Sequence, residues 1–405
     1  MNAREVARPR VRALDRWLLL LLARSFSAAP IRFRLWDGTE ASLSHSPPAG
    51  TIVLKDRRAL LDLVRDPELR FGEGYTRGRI EVLGDFVGVL EGAIRVTQAV
   101  PPRRHHRRAP GPGSSAEDVF HHYDVGNDFY ELWLDREMVY TCAYFDSPDA
   151  TLEEAQIAKM EYVCRKVGLK PGMSVVEAGC GWGALALFMA RRCGVTVKAC
   201  NVSREQIRWA RKRAQEEGLA GRVEFLEEDY RAIRGTFDAF VSVGMLEHVG
   251  PENYGALGEV IDRCLTSAGR GLLHFIGRDR PEPLNAWMQR RIFPGAYPPT
   301  VAEVLEKAFE PHRFSALDIE NLRLHYAKTA RAWRQRFEAA ADRVAARFGE
   351  PFVRAWRLYL AGSEAAFSAG SLQLFQITFA RSGENRLPWT RAPLYAPAAS
   401  THGNG

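Results

Sequence analysis

From Lys170 onward the chain alternates short apolar runs with longer amphipathic ones. Ser174 to Ala178 reads as a buried strand, followed by a glycine-rich turn and a helix of Ala, Leu, Phe and Met. Val195 to Cys200, Val223 to Leu226, Phe237 to Val243 and Gly271 to Ile276 are the next apolar runs of strand length. Helical patterns at Ser203 to Glu217 and Asn253 to Leu265 separate the first of them from the second and the third from the fourth. This rhythm predicts a mostly parallel sheet with helices on both faces. Tyr326 to Gly370 is strongly helical, and Leu372 to Phe379 alternates like a strand placed to close the sheet. The predicted fold is therefore α/β, with a Rossmann-like domain preceded by a smaller α+β domain.

The first hundred residues carry weaker signals. Ile31 to Trp36 and Thr51 to Leu54 read as strands, and Asp56 to Val64 as a helix. The longest apolar run, Trp17 to Ala23, is too short to span a bilayer. Arg4, Arg8, Arg10 and Arg12 precede it, and SFSAAP follows, so the start mimics a signal peptide. An amphipathic first helix is the preferred reading, either lying on a lipid surface or packing its leucines inward. The stretch PPRRHHRRAPGPGSSA at 101–116 is a linker by composition. The expected organisation is an N-terminal lipid-facing domain at 1–100, the basic linker, a catalytic domain at 117–390 and a disordered tail at 391–405.

Composition narrows the class. With 405 residues, 46% of them hydrophobic, sizeable cores can form and dominant disorder is excluded. The net charge of +7 suits an anionic partner. Six cysteines, none spaced as CxxC, point away from a disulfide framework or a structural zinc site and toward a reducing cytoplasm.

The candidate chemistry begins at GCGWG, residues 179–183. Glycines let a strand turn sharply into a helix whose first N–H groups face a ligand. The spacing GxGxG, preceded by Glu177, departs from the dinucleotide pattern and fits the nucleoside end of S-adenosylmethionine. Asn201, Ser203 and Gln206 follow the second strand and can hydrogen-bond ribose without adding charge. Asp229 and Tyr230 end the third strand, where an adenine would sit.

Further segments are more specific: HHYDVGNDFY at 121–130, YTCAYF at 140–145, GMLEHVG at 244–250, LLHFIG at 272–277, IFPG at 292–295 and HYAKT at 325–329. With FGEGY at 71–75, they resemble the cyclopropane fatty acid synthase family over roughly three quarters of the chain. The resemblance implies an S-adenosylmethionine-dependent methyltransferase acting on unsaturated acyl chains of phospholipids, with bicarbonate in the site. Carried over residue by residue, the ion would be held by Cys142, Glu247, His274, Ile276 and Tyr326, with Cys142 and Ile276 contributing mainly backbone groups. Tyr140, Thr141, Gly179, Gly181, Asn201, Ser203, Gln206 and Tyr230 match the cofactor region. The implied partner is phospholipid at the inner face of a membrane, met peripherally from the cytoplasm; a homodimer is compatible, and nucleic acid is not expected.

An alkene is a weak nucleophile, so positioning against the sulfonium methyl supplies much of the catalysis. Transfer leaves a carbocation, and ring closure requires a base beside the new methyl in a water-poor pocket. Tyr123, Tyr144 and Tyr297 are candidates for cation–π stabilisation. Each residue also has a plainer reading: Cys142 as a buried small hydrophobe, His274 as a core histidine, His248 as a neighbour without chemistry. His121–His122 lacks a third metal ligand nearby. Some family members have a cysteine where this chain has Ser363, so a nucleophilic role there does not transfer. Rival readings are methyl branching instead of ring closure at the same site, a small-molecule methyltransferase, and an idle lipid-binding protein.

Overall fold

The computed structural model describes residues 10–99 and 125–395. The basic stretch 101–116, His121, His122 and Tyr123 lie outside them.

Two sheets organise the chain. The first has the order β2-β1-β3-β4, from β1 Ile31–Arg34, β2 Glu40–Ala41, β3 Gly50–Leu54 and β4 Ile80–Gly84. Only β1 and β3 pair in parallel. The helix Ala13–Ser25 covers this sheet with Leu18, Leu19, Leu22 and Ala23, which join Ile31, Phe33, Ile52 and Leu54 in one core. Asp15 is buried beside them and accepts from Arg57 Nε at 2.8 Å and Nη2 at 2.6 Å. The inward packing of its leucines is thus seen, and its outer face stays in solvent: Leu14, Trp17, Leu20 and Leu21 are 40–59% exposed.

The second sheet has the order β10-β11-β9-β8-β5-β6-β7. Its parallel part is β5 Ser174–Ala178, β6 Thr196–Asn201, β7 Val223–Glu227, β8 Phe237–Val243 and β9 Leu265–Gly277. β5, β6 and β7 step outward in one direction, and β8 returns to the other side of β5. The strand order reverses there, which opens a crevice at the carboxyl ends of β5 and β8. Both faces are covered, so β5 and β8 are apolar nearly throughout.

Two expectations need correction. Leu372–Phe379 does not close the sheet. It forms β11 Gln373–Arg381, antiparallel between β9 and an unforeseen edge strand, β10 Phe314–Asn321. The stretch from Tyr326 to Gly370 is helical as expected, in three pieces, Arg323–Ala339, Ala341–Phe348 and Glu350–Ala369, broken at Ala340 and Gly349. Ala392–Tyr395 forms a helical turn where a disordered tail was expected.

The FGEGY motif gains a physical role. It lies in the helix Pro67–Thr76, against the helices Ala286–Arg291 and Glu350–Ala369. A Cβ at Gly72 would sit 2.3 Å from the Trp287 indole. Glu73 accepts from Arg291 Nε at 2.8 Å and Nη2 at 2.7 Å. Arg354 stacks over Tyr75 at 4.2 Å and donates to Ile80 O at 2.8 Å. The motif therefore clamps the first sheet's unit onto the second.

Candidate active site

The turn after β5 is forced by packing. Gly179 and Gly183 have φ of +82° and +83°. A Cβ at Gly179 would meet the Met245 side chain at 2.8 Å, and one at Gly183 would meet Phe225 at 2.6 Å. Trp182 Nε1 donates to Asn127 Oδ1 at 2.8 Å, tying the turn to the segment at 127–130.

A cavity opens at the crevice. It is lined by Tyr140, Thr141, Gly179, Gly181, Asn201, Gln206, Asp229 and Tyr230, all expected from the sequence. Asn201 Nδ2 donates to Gln206 Oε1 at 2.6 Å, so the two amides hold one another at the end of β6. Ser203 departs from expectation. Its hydroxyl accepts from Gln206 N at 3.4 Å as the cap of the helix Arg204–Glu216, and it does not line the cavity. Asp229 caps the short turn after β7 and pairs with Arg231 at 2.7 Å. Burial opposes its ionisation, but the Arg231 contacts outweigh it and hold the carboxyl below its ordinary range. Tyr140 Oη lies 2.6 Å from Tyr359 Oη.

Sequence reasoning left two cavity-lining residues without a role. Glu177 is buried at the end of β5, with Oε2 unpartnered, and burial raises its carboxyl to about 8. Lys159 is equally buried, and its Nζ donates to Thr141 Oγ1 at 2.9 Å. Their signal was a charge inside an apolar pattern: Glu177 in a buried strand, and Lys159 on the stripe Leu152, Ala155, Gln156, Met160, Val163.

The five residues of the second expected set do not line this cavity. Glu247 sits in the turn Leu246–Val249 after β8, and its Oε1 accepts from Ile276 N on β9 at 2.5 Å. Its Oε2 is buried without a partner among the described residues. Burial raises this carboxyl to about 7, although the Ile276 bond works against the shift. His274 lies two residues before Ile276, on β9. Directly across on β11, Gln376 Nε2 stands 2.9 Å from His274 Nδ1. With the amide donating there, Nε2 carries the ring proton, and this buried atom is unpartnered. Burial, aided by Lys159 and Lys166, lowers the His274 pKa and keeps the ring neutral.

Cys142 and Tyr326 are joined through the helix Arg323–Ala339. Ala143 N donates to Thr329 Oγ1 at 3.0 Å, and Phe145 N to His325 Nδ1 at 3.0 Å. Leu374, the β11 partner of Ile276, accepts at its carbonyl from Leu322 N at 2.8 Å, one turn before Tyr326. The Cys142 thiol is fully buried and donates to Ala143 O at 3.2 Å. Burial pushes its pKa well up, which disfavours a thiolate.

Rings connect the two groups of residues. His248, which lines the cavity, lies 5.9 Å from Phe293, and Phe293 5.5 Å from Tyr359. Tyr140 lies 5.3 Å from Trp333, which is 5.9 Å from Tyr326, and Tyr326 stacks on Phe367 at 4.3 Å. Two of the tyrosines proposed for cation–π contact are engaged elsewhere. Tyr144 stacks on His325 at 4.8 Å, and Tyr297 donates to Glu303 at 3.0 Å.

Comparison with known proteins agrees with this arrangement. The mycolic acid cyclopropane synthetase family model matches residues 112–377, and a domain of unknown function matches 18–101. A probable fatty acid methyltransferase of Pseudomonas putida is 35% identical over 90% of this chain and 96% of its own length. The cyclopropane-fatty-acyl-phospholipid synthase of Escherichia coli is 42% identical over 66% of this chain and 68% of its own. The solved structure of a mycolic acid cyclopropane synthase, complexed with SAH and CTAB, superposes with a TM-score of 0.62 at 30% identity, covering 65% of this chain and 97% of that one. With a Rossmann-like sheet, a glycine turn at its switch point and these relatives, the chain belongs to the cyclopropane synthase family of S-adenosylmethionine-dependent methyltransferases.

Proposed function

We propose that this enzyme converts the cis double bond of an unsaturated phospholipid acyl chain into a cyclopropane, with bicarbonate bound at Glu247 and His274. The observation that carries this reading is that, among the described residues, two buried side-chain atoms of the expected set, Glu247 Oε2 and His274 Nε2, have no partner. One is an acceptor and the other a donor, which suits an anion bearing both a hydroxyl and bare oxygens. Bound there, bicarbonate would supply a small base for the proton lost from the new methyl.

The chain's own residues set the conditions. The Ile276 N–H fixes the Glu247 carboxylate so that its second oxygen is free to accept. Gln376 fixes the His274 tautomer so that a proton points away from the sheet. Tyr140, Trp333, Tyr326, Phe367, Phe293 and Tyr359 present ring faces and edges that exclude water and favour a cation. In the cavity, Asn201, Gln206, Asp229 and Tyr230 would orient S-adenosylmethionine, which supplies the methyl electrophile.

Residues 1–100 serve in this reading as a lipid-facing domain, and 117–390 as the catalytic one. The outward stripe of Leu14, Trp17 and Leu21 on the first helix, with exposed Arg10, Arg12, Arg16 and Arg24, suits an anionic lipid surface met peripherally. Methyl branching at the same site is the second reading, and the relatives described as fatty acid methyltransferases favour keeping it. The test is incubation with methyl-labelled cofactor and either unsaturated phospholipid vesicles or free amines. Label in lipid acyl chains supports the proposal; label only in amines contradicts it.

A further inference from the structure

The cofactor has two ends of different chemistry, and the cavity has two sides. Asn201, Gln206, Asp229 and Tyr230 stand at the ends of β6 and β7, on the side suited to adenosine. On the other side, nearest the helix Leu152–Val167, the lining holds one amine, one carboxyl and one hydroxyl: Lys159, Glu177 and Thr141. The methionine end of the cofactor carries a carboxylate and an ammonium.

Thr141 is gripped twice from that helix. Gln156 Nε2 donates to its carbonyl at 3.0 Å, and Lys159 Nζ donates to its Oγ1 at 2.9 Å. A hydroxyl that accepts from an ammonium turns its own proton elsewhere. The Thr141 side chain also borders the cavity on its Gly244 flank, where a Cβ at Gly244 would meet Cγ2 at 2.8 Å. Lys159 is 2% exposed, and burying an ammonium is costly unless it is held by opposite charge. Burial lowers the Lys159 pKa to about 8, and Asp135 and Glu177 act against that shift. Asp135 is itself committed to the backbone, accepting from Val139 N and Glu137 N at 3.0 Å each.

We propose that Lys159 is a positioning residue for the carboxylate of S-adenosylmethionine: acting through Thr141, it directs the hydroxyl proton into the cavity and makes that side selective for a ligand bearing a carboxylate. The inference rests on the reading of this cavity as the cofactor site. A plain structural role, in which Lys159 only balances Glu177 and Asp135, would affect all cofactor-like ligands alike.

The experiment is calorimetric titration with S-adenosylhomocysteine and with its decarboxylated analogue, which keeps the ammonium. Wild type is expected to prefer S-adenosylhomocysteine. Lys159→Met should weaken that ligand about tenfold and the decarboxylated one little, as befits loss of one charge-assisted contact. Thr141→Val should do the same, Thr141→Ser should restore wild-type preference, and the double variant should be no worse than Thr141→Val. Equal weakening of both ligands, or additive effects, would overturn the assignment of Lys159. Should Lys159→Met not fold, the contrast between Thr141→Val and Thr141→Ser decides: no difference in preference rejects the proposal. Wild-type protein that binds neither ligand would instead overturn the cofactor reading itself.

Discussion

Glu247 is held between two demands. Its place against β9 removes it from water, and its proposed partner requires it as an acceptor. Burial raises the carboxyl from 4.5 to about 7, so it is largely protonated below that pH. The accepting form is the carboxylate. At fixed bicarbonate concentration, kcat/KM should therefore rise with pH through about 7, and a limb near pH 4–5 would contradict the assignment. The sign for stability is opposite. The unfolded chain loses this proton near its ordinary value and the folded chain only near 7, so this group's contribution to stability falls as pH rises between the two. Glu247→Gln should keep S-adenosylhomocysteine affinity while turnover drops about a hundredfold or more. Unchanged turnover would remove Glu247 from the mechanism. The motif residues were legible because this chemistry demands particular groups, and they stood in recognisable runs. Lys159 and Gln376 were not, since a lone lysine on a helix or glutamine on a strand looks solvated until its neighbours are known. Ser203 has a local role besides the expected one, because a serine before a helix serves well as its cap.

At the scale of elements, the inner strands were visible as apolar runs because both of their faces are covered. β10 was not, since it is an edge strand carrying Asp318, Glu320 and Asn321 on a half-exposed surface. The helix Pro67–Thr76 was hidden by two glycines, which local propensity counts against a helix. Packing explains them: Gly72 makes room for Trp287 and Gly74 for Ile80. Gly72→Ala gains about 1 kcal/mol in helix propensity. It also sets a methyl 2.3 Å from a rigid indole ring. Overpacking costs of about 1–3 kcal/mol are usual, and three ring atoms in close conflict place this site at the upper end. The variant should therefore melt a few degrees lower by calorimetry, and an unchanged or higher Tm would show that the two units are not clamped there.

The whole molecule joins a unit with an exposed apolar stripe to a unit with a buried reaction site. The clamp at Glu73–Arg291 and Arg354 makes the first a neighbour of the second, which in the proposed reading would bring a lipid held by one to the other. Replacing Leu14, Trp17 and Leu21 with serine leaves the inward face of the first helix untouched. Binding to anionic vesicles, followed by sedimentation, should fall at least about tenfold and lose apolar character, leaving a salt-sensitive remainder from the arginines at about 1 kcal/mol each. Undiminished binding would place the lipid contact elsewhere. The strands of the two sheets lie on either side, in sequence, of the stretch that composition marks as a linker, whereas the clamp depends on contacts between residues more than two hundred positions apart. The most direct test of the central claim is proton NMR of fatty acids released after reaction with unsaturated phospholipid vesicles. A cyclopropane and a methyl-branched alkene are isomers, so mass does not separate them. Ring-methylene signals far upfield are expected, with the proton lost from the transferred methyl. A branched alkene without those signals would contradict ring closure, and with it the placement of the base.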